Sequence, residues 1–222
     1  MQARLWALLA ITGAALGLAF WRWPGIDLWV SAQVFDAEAG IFPLAATPWA
    51  VLLREGARGV MHGVAGGLLV VTLWALVRGD GALRRRSVYA ATLTVLGPGL
   101  IVNGGFKEMV GRARPDEITA FGGSASFTGA WDWTATACAT NCSFPSGEAA
   151  GAAAAAIVLA VFVRPLPLRL VFAAYALFTA AWRVALGRHY LSDVLVSLWI
   201  VAALALLLAP LLHRFRQDAA RA

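Results

Sequence analysis

The sequence predicts an all-α, polytopic membrane protein with six transmembrane helices and its functional groups gathered at one external face. Three observations carry this reading. Of 222 residues, 60% are hydrophobic and 14% charged, against about 25% charged in an ordinary soluble domain. The apolar residues come in long blocks, with a mean hydropathy of +0.73. Arginines gather at alternate block ends, the pattern that sets membrane topology. Residues 1–222 therefore read as a single membrane domain, the spans leaving no length for a second, soluble one.

In chain order the blocks cover residues 5–20, 60–77, 88–102, 149–163, 168–185 and 194–212. Each is near the roughly 17–25 residues of a spanning helix, the third and fourth being short. The first shares a basic start and apolar core with signal peptides, but its end, Phe20-Trp21-Arg22-Trp23, favours a retained helix with an aromatic interface belt. Arg78, Arg84, Arg85 and Arg86 lie between blocks two and three, Arg164 and Arg169 between four and five, and Arg214, Arg216 and Arg221 after six. Those ends are expected in the cytoplasm of a bacterial inner membrane, which leaves residues 24–59, 103–146 and 187–192 facing the periplasm. This placement explains the net charge of +6 without nucleic acid as a partner. Gly59, Gly63 and Gly67, with the Ala/Gly run 149–156, read as close-packing surfaces. Arg54, Glu55 and Arg58 read as an interfacial or solvated turn before block two. Cys138 and Cys142 would pair in an oxidising compartment; free thiols are equally compatible with the spacing.

Three polar segments fall at the external ends of the helices: Lys107-Glu-Met-Val-Gly-Arg112-Ala-Arg114-Pro115, Phe144-Pro-Ser-Gly-Glu148, and Arg183-Val-Ala-Leu-Gly-Arg188-His189-Tyr-Leu-Ser-Asp193. Ionisable groups at membrane depth mark function by default. Lys107, Arg114 and Arg183 suit an oxyanion, most economically a phosphate. Ser146 stands as an N-cap, and Gly147 would let backbone N–H groups approach the anion. His189 and Asp193 are four residues apart, so within one helix the carboxylate would orient the imidazole and leave its other nitrogen as a nucleophile. No carboxylate or Cys/His cluster has metal-site spacing, so neither metal nor other cofactor is expected.

These segments resemble the three signature motifs of the type 2 phosphatidic acid phosphatase superfamily. Lys107 with Arg114-Pro115 matches the first, Pro145-Ser146-Gly147 most of the second, and Arg183, His189 and Asp193 most of the third. The resemblance implies a lipid phosphatase in which Lys107, Arg114, Ser146, Gly147 and Arg183 hold phosphate, His189 becomes phosphorylated, and Asp193 orients it. Two positions depart from the pattern: Trp182 replaces a Ser, and Glu148 replaces the His taken to protonate the leaving oxygen. Glu148 then either serves as the acid or pairs with Lys107 or Arg188, a loss that a leaving group of low pKa would tolerate best. The run Cys138-Ala-Thr-Asn-Cys-Ser-Phe-Pro-Ser-Gly-Glu and the pair Gly111-Arg-Ala-Arg-Pro and Phe121-Gly-Gly are similar to lipid A phosphatases of this superfamily. Undecaprenyl diphosphate and phosphatidylglycerol phosphate fit the motifs equally, and a flippase or transporter could use the same cations to grip a phosphorylated lipid. Trp131 and Trp133, in the loop 116–141, would cap the site or sit at the interface.

Overall fold

The computed structural model describes residues 2–213; Arg214, Arg216 and Arg221, expected at the cytoplasmic end, lie outside the described residues. Helix α1 (Gln2–Arg22) leads into a short α2 (Gly25–Ala32). The long α3 (Pro48–Arg78) and α4 (Gly81–Thr94) form a hairpin. After α4 the chain stays helical through a π-helical stretch, Val95–Phe106, and one further turn, α5 (Lys107–Met109). Beyond a long connection come α6 (Gly147–Phe162), α7 (Leu166–Ala185), α8 (Leu191–Leu208) and the short α9 (Pro210–His213). Among the described residues five helices, Ala3–Arg22, Pro48–Arg78, Gly81–Met109, Leu166–Ala185 and Leu191–Leu208, are long and apolar enough to cross a membrane, and Gly147–Phe162 is a shorter apolar sixth. This is the all-α, multi-pass architecture that the sequence predicts.

Helix starts follow local chemistry. Asp80 caps α4 by accepting from the N–H groups of Ala82 and Leu83, both at 2.9 Å. Pro48 opens α3 after an extended Thr47, so this helix begins well before residue 60 and includes Arg54 and Arg58. Pro98 has no N–H to continue an α-helical ladder. The wider winding begins around it, and the Asn103 Nδ2 donates to the Pro98 carbonyl at 2.6 Å.

Helix α6 is the hub, packing on α3, α4, α7 and α8. Its buried alanines, Ala149, Ala150 and Ala152 through Ala156, let those helices come close. The glycines of α3 behave otherwise. A side chain at Gly59, Gly63 or Gly67 would meet nothing within 4 Å. Helix α3 meets α6 through Met61, Val64 and Leu68, so the glycine face is not the contact face that the sequence suggests. Gly63 and Gly67 instead border an apolar cavity of about 720 Å³ between α3 and α6. At the N-terminus, α1 is tied to α8 where Trp199 Nε1 donates to the Leu9 carbonyl at 3.0 Å, its ring lying against Gly13.

Just past the end of α7, Gly187 has φ +64° and lies so close to Phe42 that a Cβ would collide with the ring. This turn delivers Arg188 and His189 to the site. Gly187→Ala is expected to destabilise the protein by about 2 kcal/mol or more, because strain at positive φ and the collision add. Thermal unfolding in detergent, against the wild type, measures it.

Candidate active site

The polar segments converge at the end of the bundle formed by α5, the start of α6, the end of α7 and the start of α8. Phosphate-site cations arrive from three directions. Lys107 Nζ donates to Asn141 Oδ1 at 2.7 Å, and Arg114 Nη2 donates to the Asn141 carbonyl at 2.7 Å. Asn141 sits at φ +52° in the loop closed by the Cys138–Cys142 disulfide. The cysteines are therefore paired, and the residue they present supports two of the expected phosphate ligands. Asn141 carried no signal in the sequence beyond its place between the cysteines.

Arg183 comes from the last turn of α7 and is 2% exposed. Its Nε lies 3.4 Å from Glu148 Oε2, but neither Nε nor Nη1 makes a hydrogen bond among the described residues. Buried guanidinium donors without acceptors are costly. An oxyanion in the site would supply the missing acceptors.

Ser146 caps α6, its Oγ accepting from the Ala149 N–H at 3.3 Å, and its own N–H donates to the Asp193 carbonyl at 3.2 Å. A Cβ on Gly147 would collide with the side-chain oxygen of Asn103. The glycine thus makes room for a side chain of the π-helical stretch, a closer neighbour than the sequence suggested. Glu148 pairs with neither Lys107 nor Arg188. Arg54 Nη2 donates to its Oε1 at 2.8 Å, and Arg58 and Arg183 stand at ion-pair distances of 3.9 and 3.4 Å. Arg188 pairs instead with Asp116. The early start of α3 explains the difference, since it carries Arg54 and Arg58 to the mouth of the site. Trp182 donates to the Ala50 carbonyl at 3.3 Å and stacks on Phe178, a packing role between α7 and α3. Trp131 packs edge-on against Phe144, while Trp133 is exposed.

His189 is 2% exposed. Its Nδ1 lies 2.8 Å from the Ser143 carbonyl and 3.4 Å from Asp193 Oδ2. The expected histidine–aspartate pair is thus present but secondary. Helix α8 starts only at Leu191, so His189 and Asp193 are not one helical turn apart, and a backbone carbonyl takes the closer position. A carbonyl can only accept, so Nδ1 carries the proton and Nε2 keeps its lone pair. Among the described residues no hydrogen bond engages Nε2. Burial pushes the His189 pKa down to about 4, the Arg183 and Arg114 charges reinforcing it and Asp193 opposing.

Asp193, fully buried, accepts from Arg112 Nη1 at 2.6 Å, Ser143 Oγ at 2.5 Å and the Tyr190 N–H at 2.9 Å. Arg112 has no place in the signature motifs, and the sequence gives it no role beyond membership of the segment Lys107–Pro115. It is completely buried and lies over the Tyr190 ring, 4.0 Å from its centre. Among the described residues no group of His, Cys, Asp and Glu could hold a metal ion.

Lysine and arginines gathered near a buried histidine, on a bundle of spanning helices, suit a membrane phosphatase. Residues 87–217 match the PAP2 superfamily, and the chain belongs to it. It is 37% identical to a lipid A 4'-phosphatase of Rhizobium leguminosarum, over 90% of this chain and 91% of that protein. It is 36% identical to a lipid A 4'-phosphatase of Rhizobium etli, over 90% and 82%. The crystal structure of a transmembrane PAP2 type phosphatidylglycerolphosphate phosphatase from Bacillus subtilis aligns with a TM-score of 0.44 and 22% identity, covering 89% of this chain and 94% of that one. The protein is a multi-pass membrane lipid phosphatase.

Two outcomes are expected. The His189 imidazole is neutral above pH about 4, so the acidic limb of kcat/KM assignable to it lies near there. An unperturbed histidine would lose activity below about 6.5. The same depression makes the unfolded chain bind the extra proton between those values, so folding stability falls as pH drops through that window. A limb at 6.5, with unfolding independent of pH there, would contradict the buried, neutral ring. Second, Cys138→Ser frees the Asn141 loop and is expected to raise KM about 10-fold through Lys107 and Arg114, with a smaller change in kcat. Steady-state kinetics on a lipid phosphate measures both.

Proposed function

We propose that the protein removes a phosphate from a sugar hydroxyl of lipid A at the periplasmic face of a bacterial inner membrane, through a phosphohistidine on His189. Residues 1–222 act as one domain in this reading. The single observation that carries it is the buried Arg183 guanidinium, whose Nε and Nη1 lack acceptors beside a neutral histidine. The names of the two rhizobial relatives support lipid A as substrate. The arginines at the far ends of α3, α4, α6 and α7 support a cytoplasmic orientation for the end opposite the site.

Lys107, Arg114 and Arg183 bind the phosphate oxygens, with the N–H groups at the start of α6 around Gly147. The Nε2 lone pair attacks phosphorus, and the P–O bond to the sugar breaks. The sugar oxygen leaves with a proton drawn from water. A second water then attacks the phosphohistidine, releasing inorganic phosphate and returning the lone pair to Nε2. Asp193 and the Ser143 carbonyl hold Nδ1–H throughout and stabilise the cationic ring of the intermediate.

Glu148 is not the proton donor in this scheme. Its carboxylate is engaged by Arg54 and faces Arg58 and Arg183, so it acts as a fixed anion that aligns Arg183 and keeps the cations from repelling one another. Purified protein with a metal chelator should release phosphate from lipid A, and a base quench with radiolabelled substrate should trap label on protein. His189→Ala should abolish both; full turnover in that variant sinks the mechanism. Glu148→Gln should lower activity with no loss of a basic limb in the pH profile, whereas disappearance of such a limb would restore Glu148 as the acid.

A further inference from the structure

The least expected polar group in the molecule is Asp27, from the short helix α2, far outside residues 87–217 that match the superfamily. It is fully buried, as are Ser192, Asp193 and Arg112. Arg112 Nη2 donates to Asp27 Oδ2 at 2.8 Å, while Nη1 donates to Asp193 Oδ1 at 2.6 Å and to Ser192 Oγ at 2.8 Å. Ser192 in turn donates to Asp27 twice, from N–H to Oδ1 at 2.8 Å and from Oγ to Oδ2 at 2.5 Å. Arg112 Nε closes the set on the Thr128 carbonyl at 2.9 Å. Each of these Asp27 partners is a donor, which favours the carboxylate against the burial and the Asp193 charge that raise its pKa.

One buried cation thus lies between two buried carboxylates. As a device for stability alone this is poor, because apolar replacements of buried ion networks are often as stable or more so. The charge balance points elsewhere. Arg112 offsets one carboxylate and leaves one negative charge over, beside a histidine that is neutral at rest. When Nε2 bonds to phosphorus, the His189 ring becomes cationic, and the surplus charge meets it. Arg112 also accepts from the Ser143 N–H at 2.8 Å through its carbonyl, so the same residue sets the Ser143 carbonyl that holds Nδ1.

We propose that Asp27 and Arg112 are a positioning pair for the nucleophile: Arg112 fixes Asp193 and Ser143 against His189, and Asp27 supplies the negative charge that the phosphohistidine needs. This rests on His189 being the phosphate acceptor. Besides Asp193, the charges facing the ring are the cations Arg114 and Arg183 and the Glu148 carboxylate, and the Asp27 substitution alters none of these residues.

The test is the full chain in detergent, assayed on lipid A across pH, with Asp27→Asn, Ser192→Ala and His189→Ala side by side. Asp27→Asn keeps shape and removes charge. Its kcat should fall about 10- to 100-fold with KM changed less than about 3-fold, and the acidic limb of kcat should move to lower pH as the ring loses basicity. Ser192→Ala removes the bridging hydroxyl and keeps every charge, so its limb should stay where it is. Wild-type kcat in Asp27→Asn overturns the proposal, as does a loss that matches the folded fraction with an unmoved limb. Should Asp27→Asn fail to accumulate, Asp27→Glu decides: a lowered kcat with an unmoved limb supports the pair, and an unchanged kcat or a shifted limb overturns it. Turnover surviving in His189→Ala would sink the phosphohistidine reading itself, an outcome separate from those at Asp27.

Discussion

A carboxylate sealed from water must find donors for its oxygens, and around Asp193 that requirement organises the polar end of the helical bundle. Arg112 reaches it from the strand-like segment after α5, Ser143 from the end of the long connection, and the Tyr190 N–H from the turn before α8. The Asp193 backbone carbonyl accepts from Ser146 at the mouth of α6. Two segments remote in sequence, around Arg112 and around Ser143–Ser146, are thereby locked to one residue. Arg114, Ser146 and His189 are held near one another because each is, or lies within two residues of, a donor to Asp193.

Around that anchor the cations face the opposite difficulty. Lys107, Arg114 and Arg183 are brought together without a ligand, and like charges in a partly apolar setting repel. Neutral oxygen atoms of Asn141 steady two of them, and the Glu148 carboxylate stands beside the third. In most of the superfamily pattern a histidine would occupy the Glu148 position. Here a carboxylate stands beside Arg183, and Arg54 shares that carboxylate in turn, so α3 joins the surroundings of the candidate site.

Much of this was legible in the sequence, for reasons that also explain what was not. The spans could be read because twenty apolar residues in a row have few other uses, and Lys107, Arg114, Arg183 and His189 because charge is costly at that depth. Arg54 reads in the sequence as part of an interfacial or solvated turn, because a helix that starts at Pro48 looks, in hydropathy, like one that starts at Val60. The histidine–aspartate geometry was misjudged because spacing fixes distance only within a continuous helix, and α8 begins after His189. Asp27, Asn141 and Ser143 were invisible because their roles depend on long-range contacts that no local pattern encodes. The glycines of α3 match a packing motif in spacing, yet their open surroundings show that spacing alone does not say which face a helix turns to its neighbour.

The π-helical stretch Val95–Phe106 gives the third span a property of its own. Residues in an ordinary α-helix advance by ~100° each around the axis, whereas the wider i→i+5 winding turns each through less. Over this stretch the difference accumulates, so Lys107 faces a direction that the Gly81–Thr94 half of the same helix does not predict. The segment acts as a phase adjuster between two parts of one rod: α4 keeps its register against α3 and α6 while α5 keeps a separate one that brings Lys107 to Asn141. Sequence drift in α4 can therefore be absorbed by packing, but the insertion or deletion of one residue in the adjuster would turn Lys107 away from Asn141 while leaving the length of the span almost unchanged.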